Sequence, residues 1–326
     1  MQPVLSIIIV NWNTRSDLDL CLSSIKEALP SGFAETIVVD NASQDDSVYF
    51  VRREFPDIIL IENSSNSGFA AGVNAGIRRS RGEFLLVMNP DIILGAGVVE
   101  TLISFLRANA NAGAVMPLLR NLDGSEQEGY VRRIPTIRQV LWFYTALYLF
   151  GLRDRELVAE VLMTSPKHGD SPIEVPQIPG AFLLTRKATV SEVGLWDNAY
   201  KLFFEDVDWC DRVLASGKKL VMLPWIEAIH AGGRSVKTVG EEWFTARMAV
   251  SLVTFFWKRR SMWQAFVAAT ALGANAFLGV LKNCVQFVFC KSRQESATKI
   301  MKFWNVIRLM IRAFVFKNDH QVIPTK

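Results

Sequence analysis

The stretch Arg81-Gly82-Glu83-Phe84-Leu85-Leu86-Val87-Met88-Asn89-Pro90-Asp91 ends in a carboxylate placed for chemistry. An apolar run bounded by a glycine and a proline turn reads as a buried strand, and Asn89-Pro90-Asp91 falls where that strand leaves its sheet. Ligands of open α/β sheets bind beyond the carboxyl ends of the strands, so Asp91 is the expected meeting point of a cation and a phosphate-bearing substrate. A second acidic pair opens the run Glu205-Asp206-Val207-Asp208-Trp209-Cys210-Asp211-Arg212. Val207, Cys210 and Leu214 recur at helical spacing and Gly217 supplies a stop, so Glu205 and Asp206 sit in a helical first turn. The helix dipole there favours the ionised carboxylate, by about 0.3–1 kcal/mol where exposed, and would keep Asp206 ready to accept a proton at neutral pH. Asp208 and Asp211 point elsewhere around the turn and are expected in solvent.

These residues need a scaffold, and the first 120 residues supply an alternating one. Strands are expected at Val4 to Val10, Thr36 to Asp40, Ile58 to Ile61, the central run before Asn89, and Ala114 to Leu119. Helices fall between them, the first opened by a capping box of Thr14 and Asp17. The alternation predicts a parallel, doubly wound sheet. After Asn121-Leu122-Asp123-Gly124, read as a hairpin turn, the pattern changes, and Asp154 to Gln177 carries little periodicity. That middle region reads as an acceptor-facing insertion with its own mobile loop. Order resumes with strands at Gly180 to Leu184 and Lys219 to Leu223, then Ile229-His230-Ala231-Gly232-Gly233-Arg234.

Charge divides the chain. Residues 1–242 carry 23 Lys and Arg against 30 Asp and Glu, whereas residues 243–326 carry 13 against 2. An acidic globular part followed by a basic, apolar tail fits a soluble domain with a segment facing anionic lipid. Nucleic acid is disfavoured as a partner, because the basic residues are interleaved with long apolar runs and no nucleic-acid motif accompanies them. Trp263 to Leu281 holds no charge and is long enough to cross a bilayer, but its hydrophobicity is largely alanine, so a span, an interfacial helix and a buried helix all remain open. Cys21, Cys210, Cys284 and Cys290 have neither paired zinc spacing nor a secreted framework, which predicts free thiols in a reducing compartment. The N-terminus enters its first strand without a leader pattern, so the protein is expected on the cytoplasmic face of the cell membrane.

Six stretches in order resemble the family 2 glycosyltransferases, most closely their rhamnosyltransferase-like branch. They are Ile7-Ile8-Ile9-Val10-Asn11-Trp12-Asn13, Val38-Val39-Asp40-Asn41-Ala42-Ser43, Asn66-Ser67-Gly68-Phe69-Ala70-Ala71-Gly72-Val73-Asn74, Met88-Asn89-Pro90-Asp91, Phe204-Glu205-Asp206-Val207-Asp208 and His230-Ala231-Gly232-Gly233. The resemblance implies a GT-A fold, a Rossmann-like nucleotide-diphospho-sugar transferase domain, over residues 1–242. Residues 1–119 would form its nucleotide-sugar half and 120–242 its acceptor half, with 243–326 a helical membrane-associating tail. Gly68, Gly72 and Gly76 lack the G-x-G-x-x-G spacing of a dinucleotide fingerprint, which argues against a nicotinamide enzyme. At Gly72 and Gly76 small residues let the helix lie close on the sheet.

By resemblance, the donor would be bound by Asn11, Trp12, Asn13, Asp40, Asn66, Gly68, Asn74, Asn89 and Asp91. Asp40 would accept a base imide N–H, and Trp12 would stack on the base or pack in the fold. Asp206 would be the catalytic base and Glu205 its orienting partner or an acceptor contact. The familiar D-x-D is here Asn89-Pro90-Asp91, so one anionic ligand of a divalent cation is missing; Asp91 with His230 would hold Mn²⁺ more readily than Mg²⁺. Arg132 and Arg133 resemble an acceptor-side segment that would hold the diphosphate of a polyprenyl-linked acceptor, with Val140 to Phe150 against the bilayer, and Arg234 would reach donor phosphate. The expected activity is inverting transfer of rhamnose from a dTDP donor to a lipid-linked or glycan acceptor in cell-surface glycan assembly. The alternatives are UDP-hexose or UDP-N-acetylhexosamine transfer, and a non-catalytic nucleotide-sugar-binding assembly protein, for which the lost aspartate is the argument.

Overall fold

A computed structural model describes residues 2–127, 129–144, 169–232 and 241–289, and positions 300, 301, 304 and 308. The chain forms two compact units: Met1–Ile134, Leu162–Asn198 and Glu205–Ser235 in the first, Pro135–Val161, Ala199–Phe204 and Val236–Lys326 in the second. The second unit thus begins slightly before the expected boundary at residue 242 and recruits two earlier segments.

In the first unit, β1 (Leu5–Asn11), β2 (Ala34–Asp40), β3 (Ile59–Glu62) and β4 (Phe84–Met88) alternate with α1 (Arg15–Ala28), α2 (Ser47–Glu54) and α3 (Phe69–Arg79). Then come β5 (Ile92–Ile93), α4 (Val98–Ala108) and β6 (Ala112–Arg120), and, beyond the second unit's α5 (Ile137–Tyr144), β7 (Ile173–Glu174), β8 (Phe182–Arg186), α6 (Lys187–Val193), α7 (Glu205–Ala215) and β9 (Lys219–His230). The nine strands form one sheet ordered β3-β2-β1-β4-β8-β6-β9-β5, with β7 on β9. From β3 to β4 the pairing is parallel as expected. Beyond β4 the all-parallel expectation is corrected to a mixed sheet, because β8 runs antiparallel to both β4 and β6, while β6 and β9 are parallel. A parallel partner needs a crossover connection, and the sequence leading into β8 lacks the helical period of one.

The central strands are buried on both faces, as their unbroken apolar runs require. Over them α3 lies closer than an ordinary helix could. A Cβ built at Gly76 would stand 2.4 Å from Cγ2 of Ile8, and one at Gly72 2.8 Å from Cγ1 of Val10. The expected capping box at α1 is absent: Thr14 makes no side-chain cap, because its hydroxyl donates to Asn11 Oδ1 at 2.7 Å. Asp45 Oδ2 instead accepts from the Arg15 amide at 3.0 Å.

The predicted hairpin turn forms, closed by Asn121 N–H to Ser125 O at 2.8 Å. The expected strand end at Leu223 is overrun. Pairing with β6 jumps from Leu223 to Glu227, so Pro224, Trp225 and Ile226 bulge out before β9 continues to His230. This extension lets β9 pair with β5 and sets His230 opposite Ile92.

The second unit is a helical cluster of α5, α8 (Glu241–Arg259) and α9 (Met262–Phe289). Val140 packs with Ala246, Val253, Phe256, Ala265, Ala268 and Leu272. Leu141 and Trp142 of α5 face outward, while 145–150 of the stretch expected against the bilayer lie outside the described residues, as does nearly all of 290–326. Ser261 separates the two long helices, its Oγ accepting from the Gln264 amide at 3.2 Å. Within α9, Met262–Leu281 is long and apolar enough to cross a membrane, with a mean hydropathy of 1.5. Cys21 and Cys210 are buried free thiols and Cys284 an exposed one; Cys290 lies outside the described residues.

Candidate active site

β1, β2 and β4 are parallel neighbours whose carboxyl ends reach one edge, with Asn11 in register with Asp40 and Ile9 with Met88. The chain order reverses between β1 and β4, which is the crevice where open sheets bind ligands. The loops at this edge are tied by side chains. Asn11 Nδ2 donates to Asp40 Oδ1 at 2.8 Å and to Ser43 Oγ at 3.1 Å, and its Oδ1 accepts from Thr14. Asp40 also accepts from the Ser43 amide at 2.8 Å and the Ser43 hydroxyl at 2.6 Å. Asn13, at φ 54°, receives the Gln44 amide at 2.6 Å and donates its own N–H to Ser43 Oγ.

These bonds occupy two of the expected donor contacts. Asn11 is fully buried and its side-chain nitrogen and oxygen are engaged in the loop network. Asn74 is likewise closed off: its Nδ2 donates to Trp196 O at 2.7 Å and Asn198 Oδ1 at 2.8 Å, and its Oδ1 accepts from Trp196 N at 3.0 Å. It braces α3 to the turn ahead of α7. Asp40 is 2% exposed and its carboxylate receives three protein donors, which leaves it chiefly the organiser of the loop. Trp12 is half-buried on the loop that this network fixes. Asn66 Oδ1 accepts from the Gly68 amide at 3.0 Å, and Gly68 takes φ 92°, ψ 168°, a conformation only glycine adopts freely.

At the end of β4 an imidazole meets a carboxylate. His230 Nε2 lies 3.2 Å from Asp91 Oδ1 and both atoms are buried. Nδ1 of His230 lies 2.7 Å from Gln127 Oε1, which fixes the ring with Nε2 toward the carboxylate. A proton on Nε2 or a cation shared by the two atoms would satisfy both. Ligands about 2.2 Å from one ion and at right angles around it lie about 3.1 Å apart, so the observed spacing fits a pair of neighbouring ligands. Among the described residues no group of three His, Cys, Asp or Glu gathers here. Asn89, half-buried one residue before Pro90, offers a neutral oxygen at most.

Asp206 is held by the turn that also holds this strand end. The Gly180 amide donates to Asp206 Oδ2 at 3.1 Å, while the carbonyl of the next residue, Ala181, accepts from the Asn89 amide at 3.0 Å. Two adjacent residues therefore link the candidate cation site to the candidate base. The other oxygen of Asp206 accepts from the Val207 amide at 2.8 Å, and Gln177 bonds the same carboxylate. Burial pushes the Asp206 carboxyl above its ordinary value, and the backbone amides pull it partly back. The dipole argument for a readily ionised Asp206 is thus outweighed by desolvation. Glu205 is raised further, well above the usual range, by burial and then by the charge on Asp206, and its Oε2 has no hydrogen-bond partner. Burial and mutual repulsion thus set Glu205 above Asp206, so Asp206 is the first of the pair to ionise.

Asp208 contradicts the solvent expectation. It is fully buried and pairs with Arg212 at 3.0 Å, and Arg212 also bonds the carbonyls of Val193, Gly194 and Leu195. Asp211 is half-buried. Three features escaped the sequence reading: Gln177, the Gly180-Ala181 turn, and the left-handed backbone at Phe203 (φ 65°) and Phe204 (φ 69°) leading into α7. The turn had a signal in Ile178-Pro179-Gly180 ahead of an apolar strand; consecutive aromatic residues at positive φ have none. Arg132 and Arg133 are exposed, with Arg132 Nε bonded to Gly129 O at 3.0 Å. Arg234 lies outside the described residues.

Comparison with known proteins identifies the kind of domain that carries these residues. Residues 6–164 match glycosyl transferase family 2. An N-acetylglucosaminyl-diphospho-decaprenol L-rhamnosyltransferase from Mycobacterium tuberculosis is 27% identical over 241 residues, covering 71% of this chain and 76% of that protein. The low-salt glycan biosynthesis hexosyltransferase Agl10 of Haloferax volcanii is 24% identical over 234 residues, covering 71% of this chain and 68% of its own. The fold matches a mannosyltransferase from Pyrobaculum calidifontis solved with GDP-mannose and Mn²⁺, at a TM-score of 0.54 and 19% identity over 98% of this chain and 89% of that one. The chain carries a glycosyl transferase family 2 domain and is a glycosyltransferase of the GT-A fold.

Proposed function

We propose that this glycosyltransferase moves rhamnose from a dTDP donor, with inversion at the anomeric carbon, to a polyprenyl-diphosphate-linked or glycan acceptor in the assembly of a cell-surface glycan. The observation that carries the reading is the Gly180-Ala181 turn, which bonds Asp206 through one residue and the strand end before Asp91 through the next. A base and a diphosphate site must be held in fixed relation for an acceptor oxygen to attack opposite the departing diphosphate. In this reading the acceptor hydroxyl oxygen forms the new bond to the anomeric carbon, the bond to the diphosphate breaks, and the proton passes to Asp206. Glu205, the harder of the two to ionise, leaves the negative charge to Asp206 first. Asp91 and His230 would hold a divalent cation, which when bound offsets the charge of the leaving diphosphate. Exposed Arg132 and Arg133 are assigned to the acceptor's phosphates.

The choice of rhamnose and of a lipid-linked acceptor rests on the mycobacterial relative. The Haloferax relative, a hexosyltransferase, favours a second reading, in which a UDP-hexose or UDP-N-acetylhexosamine is the donor. A non-catalytic binding role explains the missing D-x-D aspartate but leaves the raised, doubly bonded Asp206 without purpose. The test is nucleotide diphosphate release from a panel of dTDP-, UDP- and GDP-sugars with membrane lipid extract as acceptor, with Mn²⁺ and with chelator. Release from dTDP-rhamnose alone, with a higher acceptor KM in Arg133→Ala, is expected; release from a UDP-sugar selects the second reading, and donor binding without release from any sugar rejects both.

A further inference from the structure

Helix α9 is built inside out. Its protein-facing stripe is Ala265, Ala268, Leu272 and Ala276, all buried against α5 and α8. The opposite stripe follows the same three-and-four spacing but carries the large side chains: Trp263, Phe266, Phe277 and Leu281 are 69, 61, 56 and 46% exposed. A helix that had only α5 and α8 to pack against in water would present these faces the other way round. No charged residue occurs from Ser261 to Leu281, whereas Lys258, Arg259 and Arg260 stand at the start of this stretch beside Trp257, itself 54% exposed. Lys258, Arg259 and Arg260 lie just ahead of the helix, so the charge complementary to this end of the face is negative. We propose that this outer face of α9 docks on an anionic lipid bilayer, with the helix lying in the plane of the headgroups and not crossing them.

Length and composition alone would allow a span. Packing decides against it. The alanine stripe is occupied by α5 and α8, and those helices carry Arg138 and Arg247, which a spanning α9 would drag into hydrocarbon. A helix with one face on protein and one large apolar face outward instead meets the conditions for interfacial seating, where tryptophan and basic side chains sit at headgroup level.

The test uses the full-length chain and vesicles of phosphatidylcholine with and without about one-third phosphatidylglycerol, separated by flotation. Wild type is expected to float with the anionic vesicles, at least tenfold less with the neutral ones, and to be released by alkaline carbonate. The double variant Phe266→Glu/Phe277→Glu is expected to lose at least tenfold of its flotation. Both positions are exposed, and unchanged circular dichroism and donor binding would show that the variant is folded. Independently of any variant, tryptophan emission of the wild type should be quenched more by lipids brominated near the headgroup than by lipids brominated near the chain end. Carbonate-resistant binding, deep quenching, flotation of the double variant equal to wild type, or self-association without vesicle binding would each overturn the proposal.

Discussion

Asn74→Ala separates two incompatible accounts of one residue. By resemblance this asparagine touches the donor, and by structure it is a brace whose three hydrogen bonds end on Trp196 and Asn198. Alanine would strand the N–H and the C=O of Trp196, a residue 3% exposed, while Asn198 is exposed and would find water. A buried polar group left without its partner costs about 1–3 kcal/mol, so the two together cost about 2–6 kcal/mol. For a unit of this size each kcal/mol lowers the melting midpoint by about 2–4 °C, which gives a fall of about 4–24 °C. Thermal denaturation followed by circular dichroism, with donor KM measured well below the transition, reads both quantities. The brace predicts the lowered midpoint with donor KM within about threefold of wild type. An unchanged midpoint with a tenfold rise in donor KM would refute the reasoning and restore Asn74 to the donor site.

Asp206→Asn should lower kcat by about 10²–10⁴, the usual contribution of a general base, while leaving donor binding intact. Because both carboxylate oxygens accept backbone N–H groups, the amide must set its own NH₂ against one of them, so a loss of about 1–3 kcal/mol in stability should accompany the change. In the wild type, the base works only when deprotonated and burial raises its pKa above the ordinary 3.8, so kcat/KM should fall as pH drops through a value displaced toward neutrality. A profile flat down to pH 4 would count against Asp206 as the base. Gly180→Ala should cut kcat by tenfold or more with a modest change in melting temperature. Its Cβ would meet Phe69 Cε1 at 2.9 Å and the Trp196 ring at 3.2 Å, forcing the turn that positions Asp206 to shift. Wild-type kcat in this variant would show that the turn does not set the geometry.

What could be read from the sequence was whatever leaves a period or a run. The strand β4 is apolar from end to end and β1 nearly so, both buried along their whole length, so the edge bearing Asp91 was legible from composition alone. The position of His230 was legible only through resemblance. Pro224 reads as a strand end, whereas it opens a bulge after which β9 continues to β5. For Asn11 and Asn74 the sequence could not tell a ligand contact from a brace, for a different reason. A polar side chain at a strand end or on a glycine-rich helix looks alike whether it meets a ligand or saturates buried backbone, and only its partners tell the two apart. Asp208 was placed in solvent because Arg212, four residues on, was not read as its partner. Gln177 and Gly180 lie in and beside an aperiodic stretch, where spacing carries no information about which backbone amide will face a carboxylate.

The substitution that leaves Asn89-Pro90-Asp91 without a second carboxylate has a consequence for how ligands bind. One carboxylate and one neutral imidazole supply a single negative charge toward a divalent cation, and among the described residues no third acidic or histidine ligand stands by. In the proposed reaction the remaining charge comes from the donor's diphosphate. Cation and donor should then bind as a coupled pair, each raising the affinity of the other by the same factor, as linkage requires. Calorimetric titration of Mn²⁺ into the protein alone should give weak binding, and saturating donor nucleotide should tighten it by at least tenfold. His230→Ala should abolish most of that gain, because it removes one of the two protein ligands, the ring that Gln127 fixes. Mn²⁺ affinity that is the same with and without nucleotide would mean that Asp91 and His230 do not share an ion with the donor, and their contact would then be an ion pair within the fold.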